Sequence, residues 1–273
     1  MISDITIGQF MPGKSFIHKI DPRMKIILMT AIIVFVFLCK NPLSLGAMVG
    51  FVLLAVIFSR IQLKMYFKGL KAIWFLVFFT AALNMLYIKG EHVVFQYKAI
   101  TIYEEALWQS GFIAIRLVMI VIISSMLTYT TSPTDLTAAI ERLLAPLKLF
   151  RLPVHELAMM MTIALRFIPT LLEETEKIMN AQKARGADLE SGGVIKRAKA
   201  LIPILIPLFI SSFRRAFELA TAMDCRCYTG GKGRTRLNVL KYRFRDFFAF
   251  LLVVGLCAGI IYLNQLAPSP LVR

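Results

Sequence analysis

Long apolar runs separated by short basic stretches set the first limit on what this chain can fold into. Residues 26–38, 43–58, 72–88, 106–129 and 247–266 approach or reach the roughly 20 predominantly apolar residues that a helix needs to cross a hydrocarbon core. Apolar residues make up 58% of the 273, against roughly 45–50% in soluble domains. The mean hydropathy is +0.71. Clustering matters more than the total, because a soluble domain of this length spreads its apolar residues along amphipathic elements. The expectation is an all-α, polytopic membrane protein with about five transmembrane helices.

Charge sets the orientation. The chain has 32 Lys and Arg against 16 Asp and Glu. The basic residues concentrate in the N-terminal stretch, at Arg60, Lys64, Lys68 and Lys71, and across residues 131–245, while the 39–42 turn, the 89–105 loop and the C-terminus carry few. Cytoplasmic loops of membrane proteins collect Lys and Arg. Five spans with a cytoplasmic N-terminus and an outside C-terminus therefore satisfy every loop. The organisation expected is four helices in a membrane part, 1–130; a cytoplasmic helical segment, 131–245; and one more helix in 246–273. The first 25 residues lack the uninterrupted apolar core and small-residue cleavage site of a removable signal peptide. The same bias accounts for the net charge of +16 without nucleic acid, since aromatics are not interleaved with the cations beyond Tyr228 and Tyr242.

The 131–245 segment holds two further helical runs. The run 157–172 is interrupted by Arg166 and Pro169. The run 201–210 is short, contains Pro203 and Pro207, and is bracketed by Lys196, Arg197, Lys199, Arg214 and Arg215. Both read as interfacial or partner-packing helices, although a pair of extra spans would leave the C-terminus on the same side. The first run starts after Pro153 and should stop at Gly186, the residue type that takes a left-handed C-terminal position without steric cost. Arg185 then lies in the last turn, where a cation is favoured, behind the small Ala184. An exposed guanidinium suits a groove lined with carboxylates or carbonyls. The second run begins near Gly193 and leads to Asp224-Cys225-Arg226-Cys227-Tyr228, just before Gly230-Gly231. Tyr228 adds a side chain that suits an interface.

Other candidates point away from chemistry on this chain. Gly230-Gly231-Lys232-Gly233-Arg234-Thr235 lacks the spacing of a phosphate-binding loop and follows a helix instead of a strand. Cys39 and Cys257 lie in apolar runs, and Cys225 and Cys227 have no nearby His or Cys to complete a metal site. His18, His92 and His155 are scattered, and Glu141, Glu156, Glu173, Glu174 and Glu176 read as solvated helix faces. Arg116, inside the fourth run, is costly in a bilayer and reads as paired with Glu104, Glu105 or backbone carbonyls. A secondary transporter or a polytopic membrane enzyme acting on its own substrate stays open as an alternative; of the ionisable groups it needs at the midplane only Arg116 comes close.

The early His18…Asp21-Pro22-Arg23-x-Lys25 element, Ala184-Arg185-Gly186 and Met223-Asp224-Cys225-Arg226-Cys227-Tyr228 together resemble the transmembrane T component, EcfT, of energy-coupling factor transporters. The resemblance covers essentially the whole chain. It implies a non-catalytic coupling subunit of a vitamin or micronutrient importer in the bacterial cell membrane. Its partners would be two ABC-type ATPase subunits, which carry the ATP and Mg, and one small membrane-embedded substrate-binding subunit. It further implies that Ala184, Arg185 and Gly186 dock on one ATPase, and that Arg226, with Asp224, Cys225, Cys227 and Tyr228, docks on the other. The second motif departs from a literal Ala-Arg-Gly. The apolar faces carrying Leu157, Met160, Met161 and Leu165, and Leu201, Leu205 and Phe209, would cradle the substrate-binding subunit.

Overall fold

The computed structural model describes residues 10–88, 93–97, 100–150, 153–187, 193–230 and 240–266. His92 and residues 231–235 of the glycine-rich run lie outside these residues. Eight helices are described: α1 (Pro22–Leu38), α2 (Pro42–Ser59), α3 (Leu63–Tyr87), α4 (Glu104–Thr130), α5 (Pro133–Leu143), α6 (Val154–Ala184), α7 (Val194–Asp224) and α8 (Phe244–Leu266). A 3-10 turn covers Ala145–Phe150. Among the described residues the fold is all-α apart from one short antiparallel hairpin, β1 (Val93–Tyr97) with β2 (Ile100–Tyr103), inside the 89–105 loop.

Local sequence explains the helix starts. Asp21 caps α1 by accepting from the Arg23 amide, with Pro22 in the first turn where its missing N–H costs nothing. Asn41, Pro42 and Ser44 repeat the pattern for α2 as a reciprocal capping box. Ser132 accepts from the Asp135 amide at 3.1 Å and starts α5.

By length and composition α2, α4, α6, α7 and α8 can each cross a bilayer, and α3 joins them as a pair bent by 56° at residue 72. At 17 residues, α1 is about 26 Å long, at the short end of the spanning range. Two features differ from the sequence expectation. The basic stretch at 60–71 is largely the first part of α3, because Lys64, Lys68 and Lys71 recur at i, i+4 and i+7 and share one helix face. In addition, α6 and α7 are unbroken helices of 31 residues each, with Pro169, Pro203 and Pro207 inside them. A proline removes the bond to the carbonyl four residues earlier. The carbonyl that Pro207 leaves is that of Pro203, and Gln182 Nε2 donates to it at 3.5 Å.

Among the described residues the chain gathers into two compact units, one within Gly8–Leu136 and Val239–Arg273, the other within Thr137–Asn238. In the first unit α1 and α2 pack against both α4 and α8, and α3 packs on α4. Its core runs from Ile17 and Ile20 through Val36, Met48 and Ile123 to Ile260. We call this unit the frame.

Polar clamps close both ends of the frame. At one end Asp246 Oδ1 accepts from the Asp21 amide at 2.8 Å and Oδ2 from the Arg243 amide at 2.7 Å. Arg23 donates to both Asp21 oxygens and, at 3.1 Å, to the Leu240 carbonyl, and lies 4.2 Å from the centre of the Tyr242 ring. Lys25 Nζ donates to the Thr130 carbonyl at 2.9 Å and to Thr131 Oγ1 at 3.3 Å. At the other end Asn264 Nδ2 donates to the Leu38 carbonyl at 2.9 Å, Asn41 Nδ2 to that of Leu263 at 3.3 Å, and Arg116 to that of Cys39. Arg116 thus meets a backbone carbonyl at the C-terminal end of α1, where a cation is favoured by the helix dipole.

The second unit is a helical hairpin. Glu174 of α6 accepts from Ser211 and Arg215 of α7, and Tyr228 Oη donates to Met159 Sδ at 3.0 Å. With the Gln182–Pro203 bond, these pairs run in opposite order along the two helices, so the helices are antiparallel. Few of its described residues are buried: Val154, Ala158 and Ile204 on the two long helices, with Thr137 and Ala139 on α5.

Candidate functional site

Both long helices of the hairpin end in the same backbone motif. At the end of α6 the Gly186 amide donates to the Lys183 carbonyl and the Ala187 amide to that of Gln182, each at 3.0 Å. Gly186 has φ +84°. This pair of bonds around a left-handed residue is the Schellman closure, which satisfies carbonyls the helix would otherwise leave open. At the end of α7 the Cys227 amide donates to the Asp224 carbonyl at 2.9 Å and the Tyr228 amide to that of Met223 at 3.1 Å. Here the left-handed residue is Cys227, at φ +54°.

The closure gives a register between two motifs that differ in sequence. Counting from the left-handed residue, Ala184-Arg185-Gly186 corresponds to Cys225-Arg226-Cys227. An arginine occupies the residue before the left-handed position in both. Ala184, Arg185, Gly186, Asp224, Cys225, Arg226 and Cys227 are exposed, while Tyr228 is half-buried. Neither guanidinium has a carboxylate partner among the described residues. Each arginine presents its fork of donors from a rigid, closed helix end.

The hairpin separates these ends. Because α6 and α7 are antiparallel, Arg185 and Arg226 sit at opposite ends, and Tyr228 touches Met159 near the start of α6. The 26 residues from Met159 to Arg185 span on the order of 40 Å of helix. One small groove cannot receive both arginines.

Among known proteins, the family model CbiQ, described as a cobalt transport protein, matches residues 13–237. The energy-coupling factor transporter transmembrane protein EcfT of Clostridium kluyveri is 53% identical over 263 residues, covering 96% of this chain and 97% of that protein. The proteins of the same name from Brevibacillus brevis and Bacillus subtilis are 50% and 43% identical over 90% and 97% of this chain, and 93% and 100% of their own. The chain belongs to the CbiQ/EcfT family. It is a multi-pass membrane component of a transporter and not its catalytic part.

Within this EcfT-family chain the apolar residues expected to face another membrane protein divide clearly. Leu157, Met160 and Met161 on α6, and Leu201, Leu205 and Phe209 on α7, are exposed, while Leu165 is half-buried. Leu201, Leu205 and Phe209 recur every four residues, which makes one stripe, and Phe213 continues it with its ring 4.6 Å from that of Phe209. His155 bonds Glu141 at 3.1 Å, which accounts for both within the hairpin unit. No group of three or more His, Cys, Asp or Glu among the described residues could hold a metal.

Two features were missed in the sequence. The equivalence of Cys227 and Gly186 was hidden because a left-handed residue is sought as glycine; the matching signal is the arginine immediately before it. The partnership of Asp21 with Asp246 joins residues 225 apart, and no local pattern announces it. Only the Asp21-Pro22-Arg23-x-Lys25 element hinted at it.

Proposed function

We propose that the chain is the coupling subunit of an energy-coupling factor importer for a vitamin or micronutrient. Arg185 and Arg226 dock on two separate ABC-type ATPase subunits, which bind and hydrolyse ATP with Mg. The observation that carries this reading is the pair of matching arginine-bearing helix ends at opposite ends of one hairpin. Two equivalent tips held apart suit two equivalent grooves, which is what a pair of related ATPases would offer. Ala184 and Gly186 clear the sides of the first tip; Asp224, Cys225, Cys227 and Tyr228 surround the second.

In this reading α1, α2, α3, α4 and α8 cross the membrane, with the N-terminus cytoplasmic and the C-terminus outside. The hairpin lies on the cytoplasmic side with the basic 131–245 segment, since α6 and α7 are amphipathic where α1, α2, α4 and α8 are predominantly apolar. Its exposed stripes, Leu157, Met160 and Met161 with Leu201, Leu205 and Phe209, and Leu165 at their edge, hold a small substrate-binding membrane subunit. ATP-driven movement of the ATPases changes the hairpin's shape and reorients that subunit.

Affinity purification of the tagged chain from native membranes in mild detergent tests the whole reading. Two ATP-binding subunits and one small hydrophobic protein should accompany it. A chain that emerges alone and moves a solute in liposomes would replace this reading with a secondary transporter.

A further inference from the structure

The frame has two cavities, lined in part by consecutive residues, that the proposed coupling does not use. The smaller, of about 260 Å³, lies where the 11–18 segment meets the end of α2, and is lined by Met11, Gly13, Lys14, His18, Arg60 and Gln62 among others. The larger, of about 500 Å³, is an apolar cleft between α1, α2 and α8, with Phe16, Ile20, Phe51, Leu54, Phe58 and Leu252 in its walls. They are neighbours along the chain: Ser15 and Ser59 line the first, and Phe16 and Phe58 line the second.

The smaller cavity is cationic. Lys14 and Arg60 line it, and among the described residues no carboxylate does. The sequence contains no Asp or Glu between Asp21 and Glu91, and Asp21 is committed to Arg23. His18 adds shape more than charge: its ring nitrogens bond Ser15 Oγ at 2.6 Å and the Met11 carbonyl at 3.0 Å. Gly13 passes so close that a Cβ there would fall 2.6 Å from this ring. Arg60 itself is left-handed, at φ +56°, a conformation glycine adopts freely and arginine does not.

The apolar cleft narrows the choice of ligand. Lys25 also lines it, but its ammonium is engaged by Thr130, Thr131 and the His18 carbonyl. Lys14 and Arg60 have no carboxylate partner among the described residues. Two such cations beside an apolar cleft in a membrane-embedded unit suit one molecule with an anionic head and a hydrocarbon tail. An acidic protein segment would use the cations and leave the cleft empty. We propose that the two cavities form one site for an anionic phospholipid, with the phosphodiester held by Lys14 and Arg60 and an acyl chain in the cleft. Lys64, Lys68 and Lys71 follow Arg60 on one face of α3, in a stretch without acidic residues, and extend the attraction to an anionic lipid surface.

Native mass spectrometry of the purified chain with its co-purifying subunits tests the site, using phosphatidylglycerol, phosphatidylcholine of the same chain length, and inorganic phosphate as probes. One phosphatidylglycerol should be retained under activation that strips phosphatidylcholine, and excess phosphate should not displace it. The K14Q/R60G double variant should lower that retention at least about tenfold. Glycine keeps the left-handed backbone at the second of these positions, so the loss reports charge. Leu54→Trp, which fills the cleft, should lower retention with both charges intact. Equal retention of the two lipids, or undiminished retention by K14Q/R60G, would overturn the proposal. Displacement by phosphate alone would overturn the two-part site.

Discussion

The frame and the hairpin are both helical and both rich in apolar residues, yet they spend those residues differently. In the frame the apolar side chains form a core between two polar clamps, which hold α1 and α8 at both ends, α2 at its start, and α4 at its end and through Arg116. In the hairpin two 31-residue helices meet along one seam and leave Leu205, Phe209, Phe213 and Phe217 exposed. A pair of helices cannot bury two apolar faces at once. The frame buries a core of its own, while the apolar stripe of the hairpin stays uncovered among the described residues. That contrast suits a subunit that stays fixed in the bilayer while its other half changes shape.

Several substitutions would sharpen or break the contrast. The largest effect is expected for Asp21→Ala, which strands the largely buried Arg23 and removes the cap of α1. Breaking such a pair costs about 3–5 kcal/mol, read as loss of stability of the full chain during denaturant unfolding in detergent. A loss no larger than that of a surface pair would mean that the clamp does not hold the frame. Glu174→Ala, in the hairpin, removes a partly exposed ion pair and should cost about 1 kcal/mol or less. Its effect should appear as faster hydrogen exchange in α6 and α7, with the frame unchanged.

The helix ends offer a finer pair. Gly186→Ala should destabilise the first tip by about 1 kcal/mol, and Cys227→Gly should stabilise the second by a similar or smaller amount. Exchange of the last amides of each helix would register both, and identical responses at the two ends would break the register drawn between them. The smallest effect is a pH dependence. Burial pushes the Asp21 carboxyl up, but bonds from the Arg23 side chain and amide outweigh it, and the group is held below its ordinary value. A depressed folded-state value stabilises the frame above the unfolded value of about 4, and that contribution is lost as pH falls through the folded value. Asp21→Asn should flatten the acid limb of a stability profile, and an unchanged limb would remove Asp21 from the clamp.

Much of the fold was legible because its periodicities are strong. The apolar runs marked α1, α2, α4 and α8 to within a few residues, and Gly186 marked the end of α6. The start of α3 was not legible, because three lysines spaced along one helix face look like a basic loop when only their number is considered. Prolines misled in the same way: Pro203 and Pro207 read as interruptions, whereas Gln182 from the other helix takes up a carbonyl that one of them frees. The second tip was legible through Arg226, but its boundaries were not, because a cysteine holds the left-handed position that glycine holds in the first. The clamp between Asp21 and Asp246 depends on tertiary approach alone.

The central claim is that two arginine tips, at opposite ends of one hairpin, dock on two separate ATPase subunits. The most direct measurement is co-purification of ATP-binding subunits with R185E, R226E and the double variant, against membrane insertion of each chain. Reversing a charge at a docking contact costs about 2–5 kcal/mol, so each single change should weaken retention, and the double change should strip the ATPases from a chain that still inserts normally. Wild-type amounts of both ATPases on the double variant would contradict the claim.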